Sequence, residues 1–289
     1  MHNNKINQYF SLVKFSHTLF AMPFAFIGYF LALRLSDVDF SIKLLILIVL
    51  CMIFARNAAM AFNRYADRHI DLLNPRTAFR EIPAGIIKPE SALIFTFTNS
   101  LLFIITTWFI NRLTFYLSPV ALGIILGYSF TKRFTLLCHF VLGLGLSLSP
   151  IGAFLAATGR FNWLPLIFSG VVLLWVSGFD IIYSLQDEKF DLSLSLKSLP
   201  SKLGIRSSII ISSILHTFCT GLVLFAGIIA NMGMYYWIGT IIFIGLLVYQ
   251  HILVKPNDLT RVNLAFATVN GIASVIFAAF VVLYLIILR

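Results

Sequence analysis

Apolar residues fall in nine long blocks, at roughly 16–35, 41–66, 91–110, 114–130, 136–156, 163–186, 207–230, 234–254 and 263–288, separated by polar connections. Each block is long enough to cross the roughly 30 Å of a bilayer's hydrocarbon, given tilt and ends buried in protein. Inside lipid an unpaired backbone group costs several kcal/mol, so a spanning segment must be a helix or part of a closed barrel. The blocks are continuous rather than alternating, which excludes the barrel. The pattern predicts an all-α integral membrane protein of nine transmembrane helices, forming one domain over residues 1–289.

Composition agrees. The chain is 60% hydrophobic and only 11% charged, against roughly a quarter charged in soluble domains, and its mean hydropathy is +0.95. A soluble enzyme is excluded. The formal net charge of +10 does not point to nucleic acid, because the basic residues sit in connections between apolar blocks. There they set orientation and attract anionic headgroups. With the N-terminus in the cytoplasm, sixteen lysines and arginines face inward, from Lys5 and Lys14 to Arg261. Five face outward: Arg34, Lys43, Arg112, Arg160 and Arg289. This bias puts the N-terminus inside and the C-terminus outside. The opening residues MHNNKINQYFSLVKFSH are polar and amphipathic, suited to the membrane surface and unlike a cleaved leader. Cys51, Cys138 and Cys219 share no metal spacing and read as small buried hydrophobes.

Two inward connections are long, about 67–90 and about 187–206, and both are punctuated by proline and glycine. Long polar loops on a membrane protein tend to carry function. Of only eleven acids, five gather where these loops leave their helices. Asn63, Asp67 and Asp71 fall on one helical face, four residues apart. Asp180, Tyr183, Asp187 and Asp191 form a second stripe. Carboxylates four apart repel even on an exposed helix, and more so near lipid. A single such pair is commonly a solvated face. Two pairs in matching places of an acid-poor chain call for a cation. Mg²⁺ takes one or two carboxylates with waters and phosphate oxygens, so facing stripes suit Mg²⁺ clamping a diphosphate. Arg76 and Arg80 follow the first stripe, and Tyr128, Lys132 and Arg133 end the fourth span on the same side. Arginine grips phosphate in a fork and lysine as a point charge. The inward bias alone accounts for many of these bases; acids and bases together make a diphosphate site.

At these residues the sequence resembles the UbiA superfamily of intramembrane prenyltransferases. Asn63, Asp67 and Asp71 resemble its N-x-x-x-D-x-x-x-D motif, and Asp187 and Asp191 its D-x-x-x-D motif. NPRTAFREIPAG (74–85) and GYSFTKRFT (127–135) resemble connecting segments of the family. GFDIIYSLQDEKFD (178–191) is close to the 4-hydroxybenzoate polyprenyltransferase branch. The run LSLSLKSLPSKLG after Asp191 departs from the family's usual Gly-Leu-His-Ser type.

The resemblance implies a U-shaped nine-helix bundle around a central cavity, in a bacterial inner membrane, with a cytoplasmic cap. It implies a polyprenyl diphosphate donor, a small aromatic acceptor and Mg²⁺. Asn63, Asp67, Asp71, Asp187 and Asp191 would bind the metal; Arg76, Arg80, Tyr128 and Lys132 would contact diphosphate. Arg133 would meet diphosphate or an acceptor carboxylate. Asp67 and Asp187 would be catalytic through the metal. Asp180, deeper in the sixth span, would orient the acceptor or take up a proton, or else pair with a helix neighbour such as Arg56. His69 reads as a loop histidine. His17, His139, His216 and His251 share no spacing and receive no role. The expected reaction is polyprenyl transfer to 4-hydroxybenzoate. Competing readings are a dihydroxynaphthoate acceptor, as in menaquinone synthesis, and a cation-coupled transporter with midplane helix breaks.

Overall fold

The computed structural model describes residues 5–13 and 20–287. Lys14, His17 and Arg289 lie outside them. Twelve α-helices are present among the described residues: α1 Lys5–Leu12, α2 Met22–Leu35, α3 Ile42–Ala66, α4 Arg68–Leu73, α5 Pro89–Trp108, α6 Arg112–Thr131, α7 Cys138–Thr158, α8 Trp163–Ser184, α9 Glu188–Ser193, α10 Leu199–Ile229, α11 Met234–Leu253 and α12 Asn270–Ile287. Eight spans are long and apolar enough to cross a membrane, and α2 is a shorter apolar helix. The nine apolar blocks therefore each hold a helix. The first expected span, 16–35, is helical only from Met22 among the described residues.

Local chemistry sets the helix ends. Ser41, Asn111 and Asn162 each accept a hydrogen bond from a first-turn backbone N–H of α3, α6 and α8. Pro89 starts α5, where its missing N–H costs nothing. Inside α6, Pro119 cannot donate to the carbonyl of Phe115, and Ser118 Oγ donates to that carbonyl instead at 2.8 Å. The expected seventh span, 207–230, is the straight part of α10. Its first turn is set off by a kink at Gly204, whose φ of 79° suits only glycine. The ninth opens with a π-helical turn, Leu264–Val269, whose loosened carbonyls at Ala265 and Phe266 accept from Asn270 Nδ2.

Helix α8 is the hub, packed against α7 and α10, while α2 leans on α7 and α12, and α11 on α12. Lipid tails are as apolar as leucine, so close packing rather than water exclusion joins such helices. A Cβ on Gly28 would lie 2.0 Å from the carbonyl oxygen of Pro150, so only glycine lets α2 meet α7 there. The core of this half is aromatic: Trp175, Phe24, Phe168, Phe243, Phe277 and Tyr236 are fully buried. The other half, α3, α5 and α6, meets α7 through α6, while α3 barely touches it. A cavity of about 460 Å³ lies between α3, α5, α6 and α7.

Candidate active site at the membrane cap

Both acid stripes cross a helix break at the same motif position. Helix α3 stops at Asp67 (φ −93°, ψ 6°) before α4 begins. Helix α8 stops at Ser184, and a 3₁₀ turn carries the chain to Asp187 (φ −100°, ψ 2°) before α9. The stripes were expected on continuous helix. The first survives its break because the i to i−4 bonding persists: Asp67 N–H donates to the Asn63 carbonyl at 2.9 Å and Asp71 N–H to the Asp67 carbonyl at 2.7 Å. These breaks lie at helix ends, not in mid-span as the transporter reading requires.

The expected bases meet the expected acids. Arg76 grips Asp187 with both arms of its fork, Nε to Oδ1 at 2.9 Å and Nη2 to Oδ2 at 2.5 Å, and donates from Nη1 to the Tyr183 hydroxyl at 2.8 Å. Arg80 Nη1 donates to both oxygens of Asp71, at 2.7 and 2.9 Å. Lys132 Nζ is 2.7 Å from Asp191 Oδ1. Arg133 Nη2 donates to Asp67 Oδ1 at 3.2 Å and to the Ala66 carbonyl at 2.6 Å. Asn63 Nδ2 donates to Asp67 Oδ2 at 3.0 Å. Four carboxylates and four cations thus form one charge-balanced cap.

Burial opposes each charge, and the partners decide the outcome. At Arg76 desolvation is outweighed by the hydrogen bond and charge of Asp187, and its pKa is raised. Lys132 is raised in the same way by Asp191. At Asp67 desolvation dominates over Arg133, and with the charge of Asp71 adding to it the pKa is raised. Asp187 meets the same burial but is held low by the hydrogen bond and charge of Arg76, so Asp67 is the less compensated of the two and stands to gain from a metal.

Among the described residues no three His, Cys, Asp or Glu side chains converge into a metal cluster of their own. The donor set still fits Mg²⁺, which needs only one or two carboxylates beside phosphate oxygens and water. Asp191 Oδ1 is buried, with the Lys132 ammonium at 2.7 Å as its counter-charge.

Several contributors carried no role in the sequence. Asn74 Nδ2 donates to Asp187 Oδ1 at 3.1 Å, and Ser198 Oγ to Asp191 Oδ2 at 2.7 Å. Their signal was their place in the two long loops. Arg64, inside the first motif, is 4% exposed beside Arg80, Asp71 and Glu81. Glu81 accepts from Ser11 Oγ of α1 at 2.5 Å. Asp180 does not pair with Arg56. Its Oδ2 lies 2.7 Å from His139 Nδ1, so the unassigned His139 is its partner, from a helix 41 residues away.

Arg56 instead lines the cavity and is its only charged lining side chain among the described residues. It precedes Asn63 by seven residues, two turns, and so lies on the same face of α3 about 10 Å deeper. Its buried Nε has no hydrogen-bond partner. The Tyr128 hydroxyl stands within electrostatic reach of Asp67, Asp180, Arg64 and Arg56, and Tyr128 also lines the cavity. The apolar cavity thus begins about one turn below the charged cap, at Met60 and Tyr128, and holds one deep cation.

Residues 21–281 match the UbiA prenyltransferase family. The chain belongs to that family. It is similar to the 4-hydroxybenzoate octaprenyltransferase of Nitrosospira multiformis, 33% identical over 246 residues, covering 85% of this chain and 84% of the relative. It is 32% identical over 255 residues to that of Vesicomyosocius okutanii, covering 86% and 92%. Among solved structures, the apo UbiA homolog from Aeropyrum pernix K1 superposes with a TM-score of 0.84 at 29% identity, covering 92% of this chain and 97% of that one. A UbiA homolog from Archaeoglobus fulgidus bound to GPP and Mg²⁺ shares the fold, with a TM-score of 0.75 at 19% identity over 96% and 99%. The protein is therefore an integral membrane prenyltransferase, and the all-α membrane architecture expected from the resemblance is the one observed, with eight helices long enough to span among the described residues and α2 shorter.

Proposed function

We propose that this prenyltransferase moves a polyprenyl group from its diphosphate to 4-hydroxybenzoate in a Mg²⁺-dependent reaction. The observation that carries this reading is the pairing of the cap with the deep cation. Arg76, Arg80, Lys132 and Arg133 already sit on carboxylates at the cap, and Arg56 waits in the apolar cavity that begins about one turn below, at Met60 and Tyr128. The names of the bacterial relatives support the acceptor.

Asn63, Asp67, Asp71, Asp187 and Asp191 would hold Mg²⁺, which when bound withdraws charge from the leaving diphosphate. The four bases and Tyr128 orient the diphosphate oxygens and stabilise the negative charge that grows as the allylic C–O bond breaks, its electron pair leaving with the diphosphate. The ring carbon ortho to the acceptor hydroxyl supplies the electrons of the new C–C bond. Asp180, held by His139, takes the ring proton, and aromaticity returns. Arg56 faces the acceptor carboxylate: a buried guanidinium without an acid partner is costly in a membrane, and an aromatic acid supplies its counter-charge. The excess of Lys and Arg on the cap side supports a cytoplasmic cap and N-terminus in the bacterial plasma membrane, with residues 1–289 as one domain.

The test uses purified protein in lipid with Mg²⁺ and a radiolabelled polyprenyl diphosphate, offering 4-hydroxybenzoate and a dihydroxynaphthoate separately. Prenylated 4-hydroxybenzoate that disappears in Asp67→Ala is the expected result. Product with the naphthoate alone moves the enzyme to the other acceptor, and no product with either acid overturns the reading.

A further inference from the structure

The cavity below the cap has walls on α3, α5, α6 and α7, and those on α3, α6 and α7 follow helical spacing. Helix α3 contributes Ile48, Met52 and Ala55, α6 contributes Thr114, Ala121 and Tyr128, and α7 contributes Gly145, Ser149 and Gly152. Leucines and isoleucines of α7 line the cavity too, and Gly145 and Gly152 are the two lining positions that carry no side chain. From Tyr128 to Thr114 the cavity runs fourteen residues down α6, about 21 Å, most of the way through the hydrocarbon.

Two glycines of α7 differ in what a side chain would meet. A Cβ on Gly145 would come within 3.3 Å of Ile125 Cγ2, which sets Gly145 level with Ile125, one turn below Tyr128. A Cβ on Gly152 would meet nothing within 4 Å. Because Gly152 lines the cavity, that open space is the cavity itself. Gly152 is seven residues beyond Gly145, about 10 Å farther from the cap, and so about 15 Å below Tyr128. An extended isoprene unit covers about 5 Å, with C–C bonds near 1.5 Å. Roughly three units therefore fit between the cap and Gly152.

Resting on the proposed reaction, we infer that Gly152 sets the donor chain length this enzyme tolerates: the fourth and later isoprene units of the donor tail pass through the space its missing side chain leaves. An eight-unit tail, about 40 Å extended, outruns the cavity. Its distal units leave past Gly152 at the far end, where Phe161 is largely exposed, and continue into the surrounding lipid. A two-unit tail ends above Gly152 and never meets it. Because φ at Gly152 is ordinary for a helix, an L side chain is sterically permitted there, and its only effect is to fill the tunnel.

The experiment compares wild type with Gly152→Phe and Gly152→Leu in lipid with Mg²⁺ and acceptor, using geranyl and octaprenyl diphosphates at matched concentrations. Wild type is expected to use both. The Phe variant should keep geranyl transfer within about threefold and lose octaprenyl transfer at least tenfold, with Leu in between. Geranyl transfer is the internal control for folding and for the cap. Undiminished octaprenyl transfer in Gly152→Phe overturns the inference, because the tail then leaves sideways above this level. Equal loss of both donors in Phe and Leu variants alike also overturns it. Wild type inactive with both donors instead removes the proposed reaction, a failure distinguishable from either of these.

Discussion

Arg76 shows how much one side chain can carry. It reaches from the first long loop to Asp187 at the end of α8, where it fills both carboxylate oxygens and a tyrosine hydroxyl at once. Both partners are largely buried, with side-chain exposures of 29% and 11%. Removing the arginine strands a carboxylate in a poor solvent, an effect of about 3 kcal/mol. Arg76→Ala is expected to lower the thermal midpoint and abolish transfer. Arg76→Lys should restore part of the midpoint but little activity, because the lysine ammonium, a point charge, lacks the planar fork that meets both carboxylate oxygens side by side. Full activity in the lysine variant would show that the fork geometry is not used. At this scale the acids were legible in the sequence because they are so few: Asp67, Asp71, Asp187 and Asp191 stand out in a chain with eleven. Their partners were legible only as types. That Arg76 meets Asp187 rather than Asp71, or that His139 holds Asp180, depends on contacts between residues 111 and 41 positions apart, which no local spacing encodes.

At the scale of elements, the spans were readable because hydropathy averages over some twenty residues and lipid forces the helical answer. What averaging hides is where a helix interrupts itself. The stops at Asp67 and Asp187 and the turn set off by Gly204 fall inside or beside apolar blocks, and each is a backbone event at one residue. Ser198 shows why these ends matter. Its hydroxyl accepts from Ser201 N–H to cap α10 in a reciprocal capping box, and it donates to Asp191, which is fully buried. One side chain thus joins the start of α10 to the second acid motif. Ser198→Ala should cost about 1–2 kcal/mol through the lost cap and the orphaned carboxylate oxygen. Thermal unfolding in detergent reads this directly. Ser198→Thr, which keeps the hydroxyl, should recover most of it; a midpoint unchanged in the alanine variant would mean that the cap is redundant.

Across the whole molecule, the cap ties together two halves that inside the membrane meet through α6 and α7. Asn74 and Arg76 from the first half hold Asp187 of the second. Lys132, at the end of α6, pairs with Asp191 while its carbonyl accepts from Lys197 N–H at 2.7 Å. Below this staple, α3 and α7 stand apart around the cavity. The same groups are claimed twice: the bases serve the carboxylates here, and diphosphate would require them. A diphosphate alone must draw Arg76, Arg80 and Lys132 away from buried acids, which strands those acids. Mg²⁺ alone must approach carboxylates already neutralised. Together each replaces what the other removes, so their binding is expected to be strongly cooperative, with a coupling of about 1–3 kcal/mol. Inorganic pyrophosphate with Mg²⁺ should therefore raise the thermal midpoint by clearly more than the sum of the two added separately. EDTA should return the pyrophosphate sample to its metal-free value. Arg76→Ala should weaken the synergy, because one of the exchanged partners is already gone. Additive shifts would mean that the cap pairs do not open on binding, and that metal and diphosphate occupy sites independent of these four ion pairs.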